Sequence, residues 1–539
     1  MKNLFLLLVA VLLLSDCKQQ PEKQETPSDD LGVLQYNFPV SDQAKASFDK
    51  GLLLLHSFEY EDAAEAFEVA LDADSTEVMA YWGLAMTEYK ALWGLQDVPA
   101  GQAYLARLAT TKEQRLSKAE EGLERDFLQG LEILFGEGDQ VTRQQAYADH
   151  MGGLYDRYDG DQEVAAFYSL ALMWSVPVGR NAEIFNRSAM VAEGILKENP
   201  NHPGALHYTI HAYDDPEAAA LAINAANKYA KVAPDAVHAL HMPSHIYLAR
   251  GMWEEVVNSN EVSYAASVAR MEQKGLTDKA RGYHSFFWLH YAYLQQGRFD
   301  KATELMKEMI RLTPLANSAG SNAYLVGFQN SQLVETGEWN LTEAPLKMDY
   351  EKLSLDSKAK ENFFQALMAS KSGDIATIKA QMAQLQPEIE AAKLLVTTEG
   401  VAMCSAGPSR YAPDKNSILR ANVILNEMGA LLAQIEKNDK KAEDHFKTAV
   451  AFENESEYSF GPPDVPYPSF EMYGEWLLDK DRFADALAQF ENSLERAPLR
   501  AKALKGKIAA LKGLSRLDEA SETQKELDAF WQSAAMASL

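Results

Sequence analysis

The chain reads as an all-α superhelix of stacked helix–turn–helix repeats, an α-solenoid. Three observations lead there. No stretch sustains period-two alternation, and Ala, Leu, Glu and Lys dominate, so strand signals are weak throughout. Helical periodicity runs along the chain, broken by short Gly, Asp and Pro turns. Similar units then recur at a period near 34 residues, as between Ala486 and Ala520.

The elements follow in order. Lys2 and the apolar run Leu4–Leu14 make a signal segment too short to span a bilayer. It ends Leu14-Ser15-Asp16-Cys17, which resembles a bacterial lipobox with Cys17 as the lipidated residue, although Asp16 stands where a small residue is usual. Ordinary secretion with nearby cleavage is the alternative. Residues 18–38 begin with a polar, Pro-containing stretch and read as a flexible tether. The clearest early unit is Gly51, Ala63, Phe67 and Ala70, in which small residues let two helices approach and the aromatic fills the gap between pairs. The same grammar returns as Ala430, Ala442, Phe446 and Ala449, and as Gly474, Ala486, Phe490 and Pro498. Tyr81–Trp93 and Asp161–Trp174 read as first helices of pairs. Longer spacings put insertions near 264–281 and 453–469, the second a Pro- and aromatic-rich loop, and Thr397–Asn416 is irregular. These spacings are those of the tetratricopeptide repeat.

The expected organisation is thus a signal peptide at 1–17, a tether at 18–38, N-terminal repeats at 39–175, central histidine-rich repeats at 176–316, irregular repeats at 317–420 and C-terminal repeats at 421–539, eight to ten helix pairs in all. With 47% apolar and 24% charged residues the chain is globular, and a net charge of −27 argues against nucleic acid as a partner. Only Cys17 and Cys404 are cysteines, so lipidation of Cys17 leaves no internal disulfide.

Six of the eleven histidines lie between Asn199 and Gly251. His207-x-x-x-His211 and His241-x-x-x-His245 share their spacing and stand 34 residues apart. Residues at i and i+4 share a helix face, so each pair has chelating geometry, and two pairs on neighbouring helices could converge on one ion. His238 and His284 fall nearby, and Glu163, Asp214 and Asp215 are candidate carboxylate partners. Imidazole-rich ligation suits a transition metal such as Zn or Cu. Pro243 must kink the helix or force it to begin near Met242. Packing is the competing account, because duplication of one repeat would copy a histidine pair. No Gly-x-Ser-x-Gly elbow accompanies Ser244 or Ser405, Cys404 near Arg410 is a lone thiol, and no phosphate loop, His-Glu-x-x-His or Cys-x-x-Cys occurs.

The stretches NPNHPGALHYTIHAYDDPE, APDAVHALHMPSHIYLARGMWEEVVNSNE, GDQEVAAFYSLALM and FGPPDVPYPSFEMYGEWLLDKDRFADALAQFENSLERAP resemble an uncharacterised family of exported bacterial tetratricopeptide proteins, over roughly residues 40 to 530. Lys90-Ala91-Leu92-Trp93 departs from the family's His-Pro-Leu-Trp. The repeat register implies that His238, His241 and His245 occupy groove positions 2, 5 and 9, His207 and His211 positions 5 and 9, and His284, Phe287 and Tyr291 positions 2, 5 and 9. His290 falls at the packed position 8. The resulting expectation is a lipid-anchored cell-envelope scaffold, periplasmic or outer-membrane associated, with a protein or peptide partner. Its concave groove would take a peptide, a small molecule or a metal. The groove residues are His238, His284, Phe287, Tyr291, Glu163 and Asp214, and the metal ligands His207, His211, His241 and His245. The alternatives are a metal-dependent enzyme, with Glu163 or Asp214 as base, and a purely structural envelope protein.

Overall fold

The computed structural model describes residues 30–531, apart from 94, 338, 340, 342–344, 347, 398–399, 401–411 and 459. Cys17, Cys404 and Ser405 lie outside the described residues. The fold is the all-α repeat superhelix expected. The described residues carry 25 α-helices, more than eight to ten pairs need, and a single two-stranded hairpin. None of these helices is long and apolar enough to cross a membrane.

Local packing follows the small–aromatic grammar. Lys45–His56 packs on Tyr60–Ala73, and a Cβ on Gly51 would sit 2.7 Å from the Phe67 ring. Gly83 of Val78–Met86 meets the same ring from the next pair, so one aromatic closes two interfaces. Phe490 does this between Gly474 and Gly506.

Three local expectations change. The helix entered at Tyr81 stops at Met86, and Tyr89–Lys90 pairs antiparallel with Leu95–Gln96. That turn carries Trp93 against Phe58 and Tyr60, with ring centroids 6.1 and 5.1 Å away. The insertion near 264–281 divides in two: its first part extends the second helix of its pair, Trp253–Gln273, and the rest is a connection with one short 3-10 turn, Asp278–Ala280. The body also begins earlier than residue 39: Val33 N–H donates to Asn201 O at 3.0 Å, and Leu31 and Phe38 are buried. Among the described residues of the 453–469 insertion, those from Ser456 to Pro468 are non-helical, in keeping with its prolines.

Both ends of the superhelix fold onto the central repeats. On the N-terminal side, Asp62 pairs with Arg270 and Lys274. On the C-terminal side, Trp253 Nε1 donates to Leu499 O at 2.9 Å, and Ala501 N–H donates to Gln295 Oε1 at 3.0 Å. Gly461, at φ +147°, lets the 456–468 segment lie directly on the Trp288 ring. A cavity of about 1570 Å³ is left between these three parts.

Candidate functional site

Three helical segments carry the histidines. His202 caps Pro203–Ala212, its Nδ1 accepting from Ala205 N–H at 3.1 Å, and Pro203 fills the first turn, where no N–H is needed. This helix presents His207 and His211 on one face, ring centroids 4.8 Å apart. Next come Val237–His241 and Pro243–Ala249. Met242 stays helical at φ −52°, ψ −37°, so Pro243 interrupts the helix without unwinding it, with His238 near the start of Val237–His241 and His241 at its end. The third segment, Tyr283–Gln295, brings His284 and Trp288.

Together they build two three-histidine sets, not the single expected site on which both pairs converge. His207, His211 and His238 each offer a ring nitrogen, the three atoms lying within 4.8 Å of one another, and so do His241, His245 and His284. Phe58 backs the first set, with its ring 4.3 Å from that of His207. Trp288 backs the second, at 4.9 and 4.5 Å from His241 and His245.

Hydrogen bonds fix where the protons are. His207 Nδ1 is 2.7 Å from His56 O, which can only accept, so Nδ1 carries the hydrogen and Nε2 a lone pair. That Nε2 and those of His211 and His238 are shielded from solvent and have no hydrogen-bond partner. His245 Nδ1 donates to Asp214 Oδ2 at 2.6 Å. His241 Nδ1 donates to Asn260 Oδ1 at 2.7 Å, and the Asn260 amide is oriented by its own bond to Val256 O. Both Nε2 atoms of this pair therefore hold lone pairs in the neutral rings, and they face each other at 3.1 Å. Burial lowers His207 to about 3 and lowers His211, His238 and His241 as well, with neighbouring imidazoles adding to it. Neutral imidazole is the ligating form.

A third cluster, His56, Glu163 and His202, differs in kind. His202 Nδ1 already accepts from Ala205, so its Nε2–H donates to Glu163 Oε1 at 3.2 Å. His56 Nε2 reaches Glu163 Oε2 at 2.7 Å and its Nδ1 faces Tyr208 OH at 2.8 Å. Every polar atom is satisfied without an ion. Burial pushes the Glu163 carboxyl up, but the two histidines outweigh it and hold it at about 2. Glu163 thus lies outside the groove and acts on it indirectly, through His56, whose carbonyl orients His207.

Asp214, His238, His284 and Phe287 line the cavity, as do His211, His241 and His245. Tyr291 does not: it is buried and bonded to Arg500, which pairs with Glu471 and Glu335 at 2.5 and 2.6 Å. His290 is buried and meets Gln332 Oε1 at 2.9 Å. Asp215 pairs with Arg180. Lys90 pairs with Glu61 at 3.5 Å, and both histidine sets are complete without it.

The sequence reading missed Glu59, Phe58, His56, Asn260 and Trp288. Asn260 was legible: it stands one turn after Val256 on the buried face of Trp253–Gln273, where that face turns from apolar to polar. Glu59 accepts from His238 N–H at 2.7 Å, and burial raises it to about 7 on the cavity wall. Nothing local marks it, because its contact spans 179 residues.

No family model and no curated protein sequence matches the chain. Among solved structures it is similar to the human IFIT1 dimer with m7Gppp-AAAA, at 14% identity over 93% of this chain and 98% of that one, TM-score 0.35. It is also similar to a Rap protein complexed with competence and sporulation factor, at 13% identity over 77% and 99%, TM-score 0.37. Yeast Tom70 matches at 11% identity over 91% and 92%, TM-score 0.28.

Proposed function

We propose that this protein is a tetratricopeptide-type scaffold whose groove binds transition-metal ions, one in each three-histidine set. One observation carries the reading: the Nε2 atoms of His241 and His245 face each other at 3.1 Å while both Nδ1 atoms are committed as donors. Two lone pairs at that distance repel, and a cation between them relieves the repulsion. Two ligands on one tetrahedral ion stand ~3.3 Å apart, given metal–nitrogen bonds of ~2.0–2.1 Å. A shared proton would serve this pair alone. It would leave the three shielded Nε2 atoms of His207, His211 and His238 without partners.

Three protein ligands leave each ion an open position, and the cavity supplies a way to it. The all-imidazole donors suit Zn or Cu, and the open position suits a small molecule or a side chain of a bound peptide. We place the protein at the cell envelope, held by lipid on Cys17, from the lipobox-like end of its signal segment and the resemblance to exported tetratricopeptide proteins.

Elemental analysis of the purified chain tests the metal reading. One equivalent of transition metal per set is expected, with one lost in His207→Ala and one in His241→Ala. Metal-free protein that also fails to bind added Zn or Cu would sink it.

A further inference from the structure

We propose that the two three-histidine sets form one dinuclear copper centre whose bridging ligand is dioxygen. This rests on the metal reading above and goes further in three respects: pairing, metal and ligand.

The sets are neighbours. His238 belongs to one and His241 to the other, yet they sit one turn apart on the same bent segment with ring centroids 6.2 Å apart. His211 and His245 are 5.9 Å apart across the same seam. Within the sets the corresponding separations are 4.8 and 5.0 Å. The gap between sets barely exceeds the gap within them, so one small ligand can reach both ions.

The donors choose the metal. All six are imidazoles, and the two carboxylates beside them are engaged elsewhere, Asp214 in holding His245 and Glu59 in accepting from the His238 N–H. Two dications would put four positive charges among uncharged ligands in a shielded site. Two Cu(I) ions put only two there, and the cost of burying an ion rises with the square of its charge. Imidazole suits copper, and three nitrogens without a fourth protein donor match the low coordination number of Cu(I).

Chemistry follows from the pairing. A single Cu(I) gives one electron, whereas dioxygen needs two to become peroxide. With both ions present, each is oxidised to Cu(II) and O₂ is reduced to a peroxide bridging them. The O–O bond is kept, and no proton or outside reductant is required. His211, His238, His241, His245 and His284 all line the same cavity, as the shared ligand demands, and the Phe58 and Trp288 rings back the two sets.

The test is anaerobic loading of the purified chain with Cu(I), followed by O₂ measured with an electrode, optical spectroscopy and electron paramagnetic resonance. The expected result is two copper ions per chain, one O₂ taken up per two copper, a near-ultraviolet peroxide-to-copper band and no paramagnetic signal. Two bound copper ions that oxidise to two separate paramagnetic Cu(II) signals would overturn the pairing while leaving the metal reading intact. Failure to bind copper or zinc at all would overturn both. His211→Gln and His245→Gln remove one ligand from each set. Each is expected to hold one copper and lose O₂ uptake, with helix content unchanged by circular dichroism. Uptake retained by a folded single-set variant would also refute the pairing. Should a variant not fold, the wild-type stoichiometry and resonance signal decide alone.

Discussion

Asp214 holds the His245 ring by a 2.6 Å bond from Nδ1 to its carboxylate, and so fixes which nitrogen of His245 is left to ligate. Asn260 does the same for His241. Such outer partners tune metal affinity by about 10–100-fold. Asp214→Ala is therefore expected to weaken one of two metal sites by about that factor and leave the other unchanged. Titration against a chelator of known affinity reads both sites. Equal weakening of both, or of neither, would contradict the assignment of Asp214 to the second set.

The metal-free protein should lose stability in acid in two stages. Burial lowers His290 to about 4, although its bond to Gln332 opposes this, so below its ordinary 6.5 the unfolded chain takes a proton that the folded chain refuses. Glu163 is held at about 2 against an ordinary 4.5, so the unfolded chain again binds more protons as the pH falls below 4.5. Both groups contribute fully above their unfolded values, and the contribution is lost as the pH falls toward the folded ones. The Glu163 part amounts to roughly 3 kcal/mol. Glu163→Gln should flatten the urea midpoint between pH 4.5 and 2 relative to wild type. His290→Gln should reduce the slope between 6.5 and 4 by one residue's share, since His207, His211, His238 and His241 are lowered by burial too. Parallel curves for wild type and variants would show that these groups do not drive the acid loss.

The histidine sets were legible in part because the repeat copies its own spacing. His207 and His211, and His241 and His245, share faces for reasons internal to one helix. His238 and His284 came from repeat register, which the helix boundaries honour. What the sequence does not carry is closure of the superhelix. Glu59 and Phe58 meet His238 and His207 from the first repeat, at sequence separations no local rule spans. Glu163 misled for a related reason: its place at the front of a helix suggested a groove position, but Gln162–Trp174 is buried along its whole length. Tyr291 fits the groove register, yet the C-terminal repeats fold over that end and take its hydroxyl for Arg500.

The aromatic plugs give a packing prediction. Phe67 touches Gly51 and Gly83 so closely that a Cβ on either glycine would overlap the ring. Gly83→Ala should cost about 1–3 kcal/mol by overpacking. Phe67→Leu in the same chain should recover part of that loss, since the smaller side chain vacates the contested space. A denaturant midpoint for the double variant below that of both single ones would refute the shared-plug picture.

Arg500 is the pin that holds the C-terminal repeats to the groove. Its guanidinium is fully buried, bonded to Tyr291 and paired with Glu471 and Glu335 at 2.5 and 2.6 Å. Arg500→Met fills much of the volume but strands two buried carboxylates, and breaking a buried pair from one side costs about 3–5 kcal/mol. Glu471→Gln should relieve part of this when combined with Arg500→Met, because one stranded charge is removed. The consequence reaches the site, since Tyr291 lies two turns along the helix from His284 and Trp288 lies between them. Arg500→Met is thus expected to release the C-terminal repeats, seen as faster amide exchange at 456–468, and to weaken metal binding at the His241, His245 and His284 set more than at the other. An equal change in metal affinity at both sets in a folded Arg500→Met protein would show that the C-terminal repeats close the cavity without supporting the second set.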